Sequence, residues 1–167
     1  DALPICLEIQ PGLSFNFIFQ GHIDYSFAGQ RYVLKPQPQP RCSVIVNNRP
    51  EMLTRHMMAG MHIQKVNVYA QRHWLESRCR SAHELQFFEK IFTQQRVMSW
   101  NPEQQSLTAA KALLALPTRE HFADTLLAEQ LSLQLLSHCL LELATQFEKN
   151  TPTEHASTHN EDALKNQ

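Results

Sequence analysis

The sequence predicts an α+β fold in which an antiparallel β-barrel is built first and closed afterwards by two helices. Three observations predict it. Bulky apolar residues alternate with polar ones from Leu13 to Gln20, the period of a strand with one buried face. Short apolar runs bounded by Gly, Asn and Pro recur as far as Trp100, the punctuation of successive strands and turns. Beyond Asn101-Pro102 the apolar spacing changes to three and four, the period of helices.

Taken in order, Ile5, Leu7 and Ile9 alternate between Pro4 and Pro11 and predict an edge strand. The next stretch, LSFNFIFQGHIDYSFAGQRYVL, reads as three strands joined by turns at Gly21 and Ala28-Gly29, an antiparallel meander with Leu13, Phe15, Phe17 and Phe19 on its buried face. Lys35 to Pro40 is a proline-rich connector, since proline cannot join a central ladder. Strands are expected at Cys42 to Val46 and at Glu51 to Met58, with Asn47-Asn48-Arg49-Pro50 turning between them. Met61 to Tyr69 reads as a strand whose apolar phase changes near Gln64, which predicts a bulge. Trp74 and Leu75, then Leu85, Phe88 and Phe92, predict short helices on the sheet, and Arg96 to Trp100 a last strand.

Two helices follow, Pro102 to Leu116 with Asn101 as cap, and Thr118 to about Glu148 with Thr118 as cap. On the second, Phe122, Leu126, Leu133, Leu136, Leu140, Leu143 and Phe147 form a seam interrupted only at Glu129. That seam reads equally well as an intramolecular helix pair and as a homodimer contact. The resulting division is 1–100 for a β-barrel with short helices, 101–149 for the helical region that would carry such a contact, and 150–167 for a polar linker or tail.

The net charge of −1 and a pI near 6.8 argue against tight nucleic-acid binding by this chain, which requires a concentrated cationic surface. No apolar run is long enough to span a bilayer and none resembles a signal peptide, so a soluble, cytoplasmic protein without membrane contact is expected. The four cysteines, Cys6, Cys42, Cys79 and Cys139, form no CxxC pair and suit a reducing compartment. Cys79 lies between Arg78 and Arg80, a setting that would lower a thiol pKa, although a structural role is the commoner one.

Nine histidines raise the question of a metal. His22, His56, His62 and His73 show neither an HxH nor an HExxH spacing, so no metal site and no cofactor are expected. There is no GxSxG elbow, no catalytic cysteine context and no glycine-rich phosphate loop, and no catalytic residue is assigned. An apolar cavity remains, expected to be lined by Phe15, Phe17, Phe19, Tyr32, Met57 and Trp74. Arg31, Arg41, Arg55 and His62 are its candidate polar anchors, with Arg41 and His62 preferred.

The order of these parts resembles the N-terminal effector domain of AraC/XylS-type transcription regulators. The resemblance runs nearly end to end, through LSFNFIFQGHIDYSFAGQRYVL, VNVYAQRHWL and LLAEQLSLQLLSHCLLEL, and is nearest the pyochelin-responsive subgroup. It implies a cupin-like jelly roll that binds a small-molecule effector, a ferric siderophore or a related metabolite. It also implies closing helices that form a homodimer through Phe122, Leu126, Leu133, Leu136, Leu140 and Leu143. The helix-turn-helix pair that follows in the family is missing after Phe147, so DNA contact by an activator of this type is expected only through a further C-terminal domain. A metal-dependent cupin-type enzyme is the alternative reading, and it predicts bound metal.

Overall fold

A computed structural model describes residues 2–36, 38, 41–117 and 121–150. The alternating segments form eight strands: β1 (Ala2–Ile9), β2 (Gly12–Gln20), β3 (Ile23–Phe27), β4 (Gln30–Leu34), β5 (Cys42–Asn47), β6 (Glu51–Met58), β7 (Gln64–Gln71) and β8 (Arg96–Trp100). Between β7 and β8 stand the short helices α1 (Arg72–Glu76) and α2 (Ala82–Ile91), and after β8 come α3 (Gln104–Leu114) and α4 (Phe122–Asn150). The strands make two antiparallel four-stranded sheets. One has the order β1-β6-β3-β4 and the other β7-β2-β5-β8.

The second sheet is covered on both faces. Leu13, Phe15 and Phe17 of β2, with Cys42, Val44 and Val46 of β5, pack against Leu135, Cys139 and Leu143 of α4 and Ala109 and Ala110 of α3. The opposite face meets the first sheet, where Ile18 and Ile45 share a cluster with Ile23, Tyr25, Phe27 and Leu53. The domain is therefore three layers, sheet on sheet on helices. β2 and β5 face a core on each side, which is why every residue of β5 is buried and β2 is buried almost throughout.

The expected three-strand meander is corrected. β3 and β4 form a hairpin through Ala28 and Gly29, both at positive φ, but β2 pairs with β5 and β7 in the other sheet. Gly21 makes the crossing possible. It sits at φ +75, and a Cβ there would come within 2.6 Å of the His62 carbonyl oxygen, so the chain passes close under the β6–β7 connection as it leaves one sheet for the other. The bulge expected near Gln64 lies on its partner strand: Ile18 faces Lys65 and Gln20 faces Gln64, leaving Phe19 as the extra residue.

Helix α3 starts later than its sequence cap. Glu103, not Asn101, is the N-cap residue, and it makes no side-chain capping bond. A carboxylate from α4 supplies what is missing. Glu142, 7 % exposed, accepts the Glu103 N–H at 3.1 Å, the Trp100 indole N–H at 2.6 Å and the Ser106 hydroxyl. The expected cap Thr118 and the tail 151–167 lie outside the described residues, as does part of the proline-rich connector. No described helix is long and apolar enough to cross a membrane.

Candidate functional site

Residues directly opposite each other in an antiparallel pair share a face, so register fixes what lines the space between the sheets. On the first sheet, Leu7 faces the buried Leu53, Ile5 faces Arg55, and Arg55 also faces the buried Tyr25. Ile5, Leu7, Ile9, Leu53, Arg55 and Met57 thus fall on the inner face. On the second sheet, Ile18 faces Lys65, Asn16 faces Asn67 and Ser14 faces Tyr69, which puts Lys65, Asn67 and Tyr69 on the face turned towards the first sheet.

The two sheets do not cover each other evenly. At the β3–β4 side Tyr25 is buried and stacks on Tyr32 with ring centroids 5.3 Å apart. At the β1 and β7 edges the inner residues are open: Ile5 is 44 %, Leu7 47 % and Tyr69 43 % exposed, and Lys65 and Asn67 are exposed too. The outcome is a trough with aliphatic groups on one wall and polar groups on the other, opening from a core that closes towards Tyr25.

Polar groups in this space divide into satisfied and unsatisfied ones. The Asn67 amide donates to the Ser14 hydroxyl at 2.7 Å and to Asn16 Oδ1 at 2.9 Å, while the Asn16 amide donates to the Ser14 carbonyl at 3.2 Å. That network fixes the polar wall. The Tyr25 hydroxyl, the Ser43 hydroxyl and Arg55 Nε are buried and make no hydrogen bond of good geometry, the two hydroxyls lying near each other. Tyr25 and Ser43 are 2 % and 1 % exposed. Burial pushes the Tyr25 phenol well above its ordinary range, opposed by the nearby Ser43 hydroxyl. Lys65 is held below the usual lysine range by burial of part of its side chain and by the charge of Arg55, so the two cations sense each other across the gap. None of the ion pairs among the described residues involves either one.

The expected ligand residues separate into three groups. Phe15 and Phe17 are fully buried under the helices, and Phe19 packs against that same core, so these rings do not line the space between the sheets. Tyr32 and Met57 fall on the inner face of the first sheet, Met57 beside the candidate anchor Arg55 and Tyr32 beyond Tyr25 from it. Arg41 is exposed and bonds Ser99, His62 is exposed in the β6–β7 connection, and Arg31 is held by Asp24 on the outer face. Trp74 stands on the helix side, at two adjoining clefts of about 290 and 330 Å³ that both reach Leu133 and Leu136 of α4. Its ring is covered by the Arg78 guanidinium at 3.8 Å. Lys65, Tyr25 and Ser43 were missed: Lys65 and Ser43 are polar residues inside apolar runs, which read as the outer face, and Tyr25 read as core in phase with Ile23 and Phe27.

On α4 the seam is divided. Leu136 and Leu143 are in the domain's own core and Leu140 packs partly against it, whereas Phe122, Leu126 and Leu133 are 80, 56 and 54 % exposed. At Cys79 the flanking arginines do not lower the thiol pKa: burial and the carboxylates of Glu84 and Glu76 raise it. The four thiols should accordingly react with an aromatic disulfide reagent in a set order. Cys6, the exposed thiol, leads, Cys79 follows, and Cys42 and Cys139, both buried, respond only on unfolding, since burial and the neighbouring Cys139 keep the Cys42 thiol protonated. Prompt labelling of Cys42 in the native state, read by peptide mass spectrometry, would contradict the packing of α4 on β5. Among the described residues no group of His, Cys, Asp and Glu is arranged to hold a metal ion.

Two comparisons bear on these observations. A family model described as the regulatory protein PchR N-terminal domain matches residues 2–157. No curated protein matches the chain.

Proposed function

The chain belongs to the regulatory protein PchR N-terminal domain family, a domain of AraC-type regulators, and from that premise we propose that it senses a small-molecule effector in the trough between its two sheets. The carrying observation is the set of buried, unpartnered donors at the head of that trough, Tyr25 Oη, Ser43 Oγ and Arg55 Nε. Each unsatisfied buried group costs about 1–3 kcal/mol, so a fold kept only for stability would have partnered or replaced them. A bound effector supplies acceptors and recovers that cost.

The effector we propose is a ferric siderophore or a related metabolite, whose iron arrives already chelated and asks no metal ligand of the protein. The two sheets, in this reading, form a cupin-like jelly roll, and the exposed leucines of α4 form a homodimer contact. Binding shifts the population of domain states, and the change passes to a helix-turn-helix domain that contacts DNA. The protein acts in the cytoplasm and is not an enzyme.

Native mass spectrometry and thermal unfolding of the purified chain, with ferric catecholate, hydroxamate and phenolate chelates in turn, test the reading. One of these should give a stoichiometric adduct and raise the unfolding midpoint, since a ligand at a hundred times its Kd stabilises by about 2.7 kcal/mol. If none of the chelate classes, nor a small-molecule extract of iron-starved cells, gives an adduct, the sensor reading fails.

A further inference from the structure

We propose that the head of the trough is an oxyanion subsite, in which Arg55 of β6 and Lys65 of β7 hold a carboxylate, phosphate or similar group of an effector whose apolar body lies along Ile5, Leu7 and Met57. The proposal rests on the reading of this domain as an effector sensor and adds to it the charge of the effector and the two residues that recognise it.

The argument begins with register. Arg55 stands opposite Tyr25 in one sheet and Lys65 stands opposite Ile18 in the other, and both Tyr25 and Ile18 belong to the cluster between the sheets. Two like charges therefore face one gap, close enough for Arg55 to disfavour the charged form of Lys65. No carboxylate among the described residues pairs with either. The acids on these strands are engaged elsewhere: Asp24 of β3 with Arg31 on the outer face, Glu51 of β6 itself with Arg49, and Glu8 of β1 with the Gln10 amide. Such an arrangement is unfavourable until a third, negative charge enters it.

The inventory of free groups gives the same sign. Arginine and lysine only donate, and the Tyr25 and Ser43 hydroxyls behind them are unpaired. The polar wall offers no competing anion, because the Asn16, Asn67 and Ser14 groups satisfy one another. A cation or an amine would meet two positive charges here, and a neutral apolar molecule would leave the donors unpaired. An oxyanion meets both needs and gains from a guanidinium that can bond it with two parallel N–H groups. The aliphatic side chains of Ile5 and Leu7, half exposed on β1, then have an apolar partner to cover them.

Isothermal titration of the chain with 2-naphthoate, 2-naphthyl phosphate and the neutral 2-naphthamide tests the inference, with R55M, K65M and the charge-preserving R55K alongside. At least one of the two anions should bind ten times more tightly than the amide. R55M and K65M should each lose about tenfold or more of that affinity, and R55K, which keeps the charge but not the two parallel N–H groups, should fall between R55M and the parent. Preference for naphthoate or for the phosphate identifies the oxyanion type. Equal binding of amide and anions, no binding of any probe at millimolar concentration, or full anion affinity in folded R55M and K65M overturns the subsite. An effector found by native mass spectrometry that binds R55M and K65M as it binds the parent chain would remove the subsite and leave the sensor reading standing.

Discussion

Glu142→Leu should destabilise the domain by about 3 kcal/mol and lower its unfolding midpoint by roughly 10 °C. The side chain is buried on α4 and accepts from three donors that belong to different parts of the fold. Trp100 ends β8 and closes the sheet; Glu103 is the N-cap residue of α3, and Ser106 lies in that helix's first turn. With leucine in place of the carboxylate, the indole N–H, a helix-start N–H and a hydroxyl are left in a dry interior, and the helix loses the only side-chain acceptor at its N-terminus described here. Glu142→Gln keeps one carbonyl acceptor but turns an amide NH₂ towards donors, so it should cost roughly half as much. Urea denaturation of the three proteins measures the series. A Glu142→Leu variant within about 1 kcal/mol of the parent would show that the three donors find water instead, and that the carboxylate is not the tie between β8, α3 and α4.

That tie was not legible in the sequence, for a reason that also explains the other differences. Periodicity locates apolar faces, and it placed β5, β6, β8 and the helix-rich end to within a few residues, β6 and β8 to the residue. It says nothing of a polar residue on a buried stripe. The core-facing stripe of α4 contains Ala128, Leu135, Cys139, Glu142 and Leu143, two of them small and one charged, so the larger leucines drew the expected seam to one side of it. The same blindness governs the site. In β2, alternation correctly grouped Leu13, Phe15 and Phe17 on one face, but nothing in the strand says whether that face meets a sheet or a helix. The three-strand meander failed at Gly21, since a glycine turn joins paired neighbours and sheet-crossing strands alike. Arg55 was among the candidates as a charge near a strand; its register with Tyr25 and the presence of Lys65 on the facing sheet are what the proposed subsite adds.

Lysine substituted at two positions of one helix should produce opposite phenotypes. Leu143 is fully buried against the second sheet, and an ammonium there must either be desolvated or be forced neutral, at a cost above about 4 kcal/mol; Leu143→Lys should fail to fold or unfold at markedly lower temperature. Leu133, 54 % exposed, loses little in the monomer, within about 0.5 kcal/mol for an ordinary surface change, so the circular-dichroism melt of Leu133→Lys should match the parent's. If the exposed residues Phe122, Leu126 and Leu133 meet a second copy of the chain, as proposed, the same lysine places a charge in an apolar contact on each protomer and should weaken association at least a hundredfold in sedimentation equilibrium. A parent chain that stays monomeric at high concentration would remove the dimer proposal. A dimer untouched by Leu133→Lys would place the contact away from this stripe. Leu140, which packs partly against the domain's core, should fall between the two, losing stability as well as association. On the dimer proposal, folding and assembly would draw on the same leucine-rich helix from different sides, and the direction in which each leucine points would decide which of the two a substitution disturbs.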